Sequence, residues 1–221
     1  MKTKYIYSKA GQLLYNEIAK NLPIVDYHCH LNPKEIYEDK LFDNIGVMWL
    51  GADHYKWRLM RAFGIDEEYI TGKADWKDKF FPYCMTIENS PGNPLYHWSS
   101  IELKKYFDTD MAISADNAQA IWDKANEVIK EKQLSPRKLI ASSNVIYIAT
   151  TDDITDDLKY HKLIKADKSF KTVVAPTFRT DNVLLLNRPD YPMYIEILKK
   201  ISQTDITDLN SLCTAISKRL D

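Results

Sequence analysis

Residues 144–153 have the sequence NVIYIATTDD, a run of β-branched and aromatic residues that turns polar at its end. This pattern predicts a strand over about Val145–Thr150. A helical pattern follows near Asp156–Lys165, and the sequence TVVAPT at 172–177 predicts the next strand. Strands and helices that alternate at this spacing predict parallel βαβ units. In such sheets, ligands bind at the carboxyl ends of the strands.

A shorter apolar run, PIVDYH at residues 23–28, predicts a buried strand over about Ile24–His28. The chain from residue 33 to about 133 has mostly helical patterns and no convincing strand. Apolar spacing predicts further helices over residues 8–20, 116–132, 192–202 and 208–220. The sequence therefore predicts three strands, with a long helical segment between the first and the second.

Composition excludes several classes of protein. The 221 residues are 45% hydrophobic, which is too apolar for a disordered chain, and the net charge of −1 argues against a nucleic-acid or polybasic membrane partner. No apolar run reaches the roughly 18–20 residues of a membrane span, and the N-terminus lacks the apolar core of a signal peptide. Three widely spaced cysteines indicate a reducing compartment. We therefore expect a cytoplasmic protein.

The motif His28-Cys29-His30 follows the first predicted strand. Residues i and i+2 of an extended chain point to the same side, so both imidazoles can face one metal ion while Cys29 faces away. Two hydrogen-bonded histidines at a strand end explain the motif equally well. A catalytic zinc also needs about three protein ligands, and the motif offers two.

Residues 49–58, WLGADHYKWR, combine an imidazole, a phenol, an acid, two bases and two indoles. Such groups suit general acid–base catalysis and sugar stacking. Composition alone favours an ordinary helix in which Trp49, Tyr55 and Trp57 are partly buried and Lys56 and Arg58 are solvated.

Two other strand ends carry polar groups. Thr150-Thr151-Asp152-Asp153 is interpreted as a helix cap. Arg179 either binds a carboxylate in a two-pronged geometry or lies on the surface. His161, in a predicted helix, is expected at the surface or at a cap.

Four stretches together resemble uronate (glucuronate) isomerase, a family of the amidohydrolase superfamily. They are DYHCHLNP at 26–33, WLGADHYKWR at 49–58, GNPLYHW at 92–98 and TTDD at 150–153. The resemblance implies an α/β fold, an incomplete, distorted (β/α)8 TIM barrel limited to its first three strands, with a large helical insertion after strand 1. The implied parts are residues 1–32 (N-terminal helix and strand 1), 33–135 (insertion) and 136–221 (βα units 2 and 3).

The resemblance also implies an aldose–ketose isomerase of hexuronate catabolism. Its substrates would be D-glucuronate, interconverted with D-fructuronate, and D-galacturonate, interconverted with D-tagaturonate. His28 and His30 would ligate a divalent metal, expected to be zinc. His54 and Tyr55 would act in catalysis, and Arg179 would bind the substrate carboxylate.

The same resemblance places the remaining metal ligand, an aspartate of the last barrel strand, beyond residue 221. We therefore expect this chain to be an N-terminal part of the enzyme, inactive alone and self-associating through an exposed barrel edge. Two alternatives stay open. One is a metal-dependent hydrolase of the same superfamily, and the other is a non-catalytic module that binds a sugar acid or a protein.

Overall fold

The computed structural model describes residues 6–220, which form two compact units. The sheet unit contains the residues up to Glu38 and from Ile140 onward, and the helical unit contains Asp39–Leu139. The strands are β1 (Ile24–Asp26), β2 (Val145–Asp153) and β3 (Val173–Arg179). The α-helices are α1 (Lys9–Glu17), α2 (Pro33–Glu38), α3 (Ile45–Leu50), α4 (His54–Phe63), α5 (Trp76–Glu88), α6 (Pro94–Tyr106), α7 (Ala118–Lys132), α8 (Pro136–Ser142), α9 (Lys159–Ala166), α10 (Asp181–Leu184), α11 (Tyr191–Ser202) and α12 (Leu209–Leu220).

The three strands form one parallel sheet in the order β1-β2-β3. The prediction of parallel βαβ units is therefore confirmed for the part of the chain that the structure describes. In the central strand, Ile148, Ala149 and Thr150 are consecutive buried residues. Burial of both faces is the expected property of a central parallel strand.

The prediction of a buried first strand is wrong. β1 ends at Asp26, two residues before His28, and Ile24 and Val25 are largely exposed. β1 pairs along one side only, with β2, and the register shifts between Ile24 and Val25. An apolar run therefore marked a strand correctly, but it did not distinguish an edge strand from a central one.

The other two strands are longer than their apolar cores. β2 continues through Thr151 and Asp152 to Asp153, and Asp153 is the register partner of Arg179 at the end of β3. The interpretation of residues 150–153 as a helix cap is consequently wrong, because α9 begins only at Lys159. Polar residues can extend these strands because the main-chain groups of β2 and β3 still pair with each other.

The sheet unit has two apolar clusters. Ile148 and Val174 of the sheet pack with Ile36, Ile140 and Ile164 of the surrounding helices. A second cluster joins α11 and α12 and is built from Ile154, Val183, Tyr194, Leu198 and Ala215. The first cluster therefore packs α2, α8 and α9 against the sheet, and the second packs α11 against α12.

The helical unit has one apolar cluster, centred on Trp49, Phe80 and Tyr83. The helix predicted at 116–132 is confirmed as α7, and its predicted apolar face, including Ile121 and Val128, is buried. No strand occurs among residues 39–139. Among residues 6–220, no helix combines the length and the hydropathy that crossing a membrane requires.

Helix α4 carries clear signals at both ends. Asp53 caps its N-terminus by accepting hydrogen bonds from the main-chain N–H groups of Tyr55 and Lys56. At its C-terminus, Gly64 has φ of +89°, a left-handed conformation, and its N–H bonds to the carbonyls of Met60 and Arg61. The identities of Asp53 and Gly64 therefore explain where α4 begins and where it ends.

Candidate active site

His28 and His30 lie just beyond β1, at the carboxyl edge of the sheet. Their rings are neighbours, with centroids 5.1 Å apart and planes at 84°. Both residues are exposed to solvent. Two adjacent imidazoles are donors of the kind that zinc accepts, so this pair fits part of a metal site.

Cys29, between them, is tied to β2. Its N–H donates to the carbonyl of Ala149 at 2.9 Å, and its carbonyl accepts from Thr151 Oγ1 at 2.8 Å. The half-buried thiol packs against the apolar cluster beneath the sheet. Burial raises the pKa of the Cys29 thiol. Cys29 therefore fixes the loop, and its flanking histidines are left at the surface.

The histidine pair does not form a complete metal centre within residues 6–220. In this part of the chain, no group of three or more His, Cys, Asp and Glu side chains is arranged to hold an ion. The pair therefore supplies fewer protein ligands than the roughly three that a catalytic zinc takes.

A buried polar network, missed by the sequence interpretation, occupies the end of β2. Thr150 Oγ1 lies 2.7 Å from Asp152 Oδ2 and 2.7 Å from His161 Nε2. His161 is only 7% exposed, so the expectation that it lies at the surface or at a cap is wrong. The available signal was helix spacing, because His161 and the buried Ile164 lie three residues apart on one face of α9.

One arrangement of protons fits the donors and acceptors of both short contacts in this network. Thr150 has one hydroxyl hydrogen, and the Asp152 carboxylate can only accept. Both 2.7 Å contacts have a donor when His161 Nε2–H donates to Thr150 Oγ1 and Thr150 donates to Asp152 Oδ2, while the Ala175 carbonyl lies 3.2 Å from the same hydroxyl oxygen. The network thus links the end of β2 to α9.

Arg179 is the last residue of β3 and is about half exposed. Its Nε donates to the Asp181 carboxylate, two residues later. The sequence left two interpretations open for Arg179, and the structure places it both at a strand end and at the surface. An exposed ion pair of this kind contributes little to stability.

Asp153, opposite Arg179, is held by several donors. It accepts from the N–H and Oγ1 of Thr155, from Asn182 Nδ2 and from Tyr194 Oη. Partial burial opposes ionisation, but these hydrogen bonds outweigh it and lower the pKa of Asp153. Burial, together with the same carboxylate, raises the pKa of Tyr194.

His54 and Tyr55 belong to the helical unit, at the N-terminus of α4. Their ring centroids are 4.4 Å apart, and the Arg58 guanidinium lies 5.7 Å from the Tyr55 ring centroid. Both His54 and Tyr55 are exposed, so the expectation of a partly buried Tyr55 is wrong. An imidazole and a phenol are thus presented side by side on one helix turn.

Lys56 was expected to be solvated, and this too is wrong. Its ammonium is buried, 3.0 Å from Asp53 Oδ2 and 5.5 Å from the ring centroid of Trp49. The partner was readable in the sequence, because Asp53 and Lys56 are spaced i, i+3.

Comparison with known proteins identifies the family of this chain. The chain matches the glucuronate isomerase family over residues 1–221, its whole length. The chain belongs to the glucuronate isomerase family. The family resemblance drawn from four sequence stretches is therefore confirmed.

Individual members of the family agree. The uronate isomerase of Streptococcus agalactiae serotype III is 48% identical over 219 residues, and that of Clostridium acetobutylicum is 46% identical over 222 residues. The alignments cover 99% and 100% of this chain but 47% of each relative. The chain thus spans about half the length of the curated glucuronate isomerase relatives that it matches.

Solved structures support the same fold. The crystal structure of uronate isomerase from Thermotoga maritima matches with a TM-score of 0.89 at 32% identity, over 97% of this chain and 47% of the other. Glucuronate isomerase from Caulobacter crescentus matches with a TM-score of 0.87 at 19% identity, over 100% and 48%, which supports the fold alone. The three-stranded parallel sheet with its helices is therefore a fold found in the glucuronate isomerase family.

Proposed function

We propose that this chain forms the N-terminal half of a hexuronate isomerase. The reaction is the interconversion of D-glucuronate with D-fructuronate and of D-galacturonate with D-tagaturonate, in the cytoplasm. The observation that carries this proposal is the family match over residues 1–221, which includes all five proposed site residues. The isomerase activity is proposed from the longer relatives, which are named uronate isomerase, and the substrate pairs are proposed from the family resemblance.

The proposed architecture is the first three strands of a distorted (β/α)8 barrel. Residues 1–32 would contribute the first helix and strand, residues 33–135 an insertion, and residues 136–221 the second and third βα units. The parallel order β1-β2-β3 supports this assignment. Barrel enzymes place their active sites at the carboxyl ends of the strands, where His28, His30 and Arg179 lie.

His28 and His30 would hold a divalent cation, for which zinc is the proposed identity. When bound, such an ion supplies Lewis-acid stabilisation of negative charge on substrate oxygens. The adjacent, exposed imidazoles support this role. The absence of a third ligand within residues 6–220 agrees with a site completed by later strands.

The remaining roles concern proton transfer and orientation. Aldose–ketose isomerisation removes a proton from C2 and returns it to C1, and this requires an acid–base group within hydrogen-bond reach. We assign that chemistry to the imidazole of His54 and the phenol of Tyr55, which lie side by side. Arg179 would bind the substrate carboxylate through its terminal guanidinium nitrogens, since Nε bonds to Asp181.

A chimera tests the proposal. Residues 1–221 replace the matching half of the Streptococcus agalactiae enzyme, and keto-acid formation from D-glucuronate is followed by NMR. We expect zinc-dependent turnover by the chimera and none by the 221-residue chain alone. His28→Gln or His30→Gln should lower turnover at least about 100-fold. Asp123→Asn, which changes an exposed carboxylate of α7, is the control. A folded chimera without activity contradicts the proposal.

A further inference from the structure

Lys56 of α4 is unusual because it is a lysine whose side chain is buried. Its side chain is 8% exposed, against 32% for its partner Asp53. Removing an ammonium from water costs several kcal/mol unless the charge is paired in good geometry. This unfavourable burial occurs one residue away from Tyr55 and two residues away from His54.

The pairing of Lys56 also engages the helix cap. Asp53 Oδ2 lies 3.0 Å from the Lys56 ammonium, while Oδ1 accepts the main-chain N–H groups of Tyr55 and Lys56 at 3.0 and 3.1 Å. Both carboxylate oxygens are therefore occupied, each by a different kind of donor. This fixes the plane of the carboxylate and, with it, the first turn of α4.

Other elements hold the ammonium in place. Trp49 of α3, which is fully buried, presents its ring to Lys56. Glu102 of α6 lies close enough for the Lys56 charge to act on its pKa, which burial raises and Lys56 lowers. The indole N–H of Trp49 has no partner of ordinary hydrogen-bond geometry within residues 6–220, and Trp49 lowers the pKa of the same Glu102 carboxyl. Lys56 thus links the cap of α4 to Trp49 of α3, and its charge acts on the Glu102 carboxyl of α6.

We propose that Lys56 is a positioning residue, which acts through Asp53 to fix the orientation of His54 and Tyr55 at the exposed N-terminus of α4. The proposal rests on the role assigned above to His54 and Tyr55. A cap alone needs only Asp53. A cap anchored to a buried cation ties the first turn of α4, which carries the two exposed side chains, to the core of the helical unit, so their geometry is set before substrate arrives.

A second buried lysine provides a matched control. Lys79 of α5 is as buried as Lys56, donates to the carbonyl of Gly72 at 2.6 Å, and lies 4.6 Å from the ring centroid of Trp76. Lys79→Met and Lys56→Met therefore remove the same charge from the same unit. A purely structural role for Lys56 predicts the same outcome for both variants.

The first measurement is amide hydrogen exchange by NMR in the 221-residue chain. In Lys56→Met, the Tyr55 and residue 56 amides should exchange about fivefold faster relative to the core amides of α7, and the ring shifts of His54 should change. Lys79→Met should alter neither, and Lys56→Arg should restore protection. Unchanged amides in Lys56→Met, or equal effects in both variants, overturn the proposal.

Should Lys56→Met fail to fold, the double variant Asp53→Asn/Lys56→Met decides. It removes both charges of the Asp53–Lys56 pair and keeps an asparagine, which is a good cap. Because the anchor is still missing, His54 and Tyr55 should show the same loss of order. Wild-type ring shifts and amide protection in this variant contradict a positioning role.

The chimera supplies the kinetic measurement. Lys56→Met should lower kcat about tenfold or more with KM nearly unchanged, because misplaced acid–base groups affect the chemical step. Lys79→Met should keep the wild-type kcat, and Lys56→Arg should recover most of it. An inactive unsubstituted chimera refutes the proposed function, whereas the exchange measurement still decides the role of Lys56.

Discussion

At the scale of residues, many polar side-chain contacts of the sheet unit lie at the ends of β2 and β3. Thr150, Asp152 and His161 satisfy one another in a buried network, and Asp153 accepts from four donor atoms. Buried polar groups of this kind are costly when any partner is lost. The end of β2 is therefore stabilised by several side-chain hydrogen bonds.

Asp153 makes stability depend on pH. Because its folded-state pKa lies below the ordinary value of 3.8, its stabilisation is present above that value and is lost as pH falls through the folded pKa. We expect Asp153→Asn to lower the free energy of unfolding by about 1 kcal/mol at pH 7, allowing for solvent screening. The difference from wild type should shrink below about pH 4. Urea unfolding at several pH values measures it.

Asp123→Asn is the control, since Asp123 lies on an exposed face of α7 and bonds only to Gln119 among the described residues. It should give nearly the same small difference at every pH. A constant difference for Asp153→Asn as well contradicts the assigned role of Asp153.

At the scale of elements, Gly64 shows how one residue ends a helix. Its φ of +89° is a conformation that costs an L-residue about 1–2 kcal/mol. We expect Gly64→Ala to destabilise the chain by that amount, measured by chemical denaturation. Gly92→Ala is a matched control, because an added Cβ meets open space at both sites but only Gly64 has positive φ. Equal effects of the two substitutions are the outcome that argues against backbone strain.

Much of the secondary structure was predictable from sequence. The strands, α7, α11 and α12 follow from apolar periodicity, because spacing along the chain directly reflects burial. Exposure at β1 was not predictable, since it depends on which strands lie beside it. Lys56 and His161 were misjudged for a related reason: their burial depends on partners in other elements, such as Trp49 and Thr150. The pairing of His28 with His30 was predictable because it follows from local geometry.

At the scale of the whole molecule, both edges of the sheet are open among the described residues. Val25 of β1 and Val173 of β3 are each 55% exposed, on the two outer strands. Unpaired strand edges template association. We expect the chain to self-associate in sedimentation experiments, and the double variant Val25→Lys/Val173→Lys to shift it toward monomer.

Ile146→Lys is the comparison variant. Ile146 is similarly exposed, at 47%, but lies on the central strand β2, which is paired on both sides. Its substitution adds charge without blocking an edge, so association should persist. Loss of association in Ile146→Lys alone assigns the contact to a sheet face instead of an edge.

The register of β1 with β2 has a consequence for synthesis on the ribosome. Ile24 pairs with Val145, so β1 emerges more than a hundred residues before its partner. At about 5–20 residues per second, translation separates them by roughly 6–24 s. The helical unit, Asp39–Leu139, is encoded between them, and small helical domains generally fold within milliseconds. It therefore has time to fold first, while the apolar β1 segment remains available to chaperones until β2 is made.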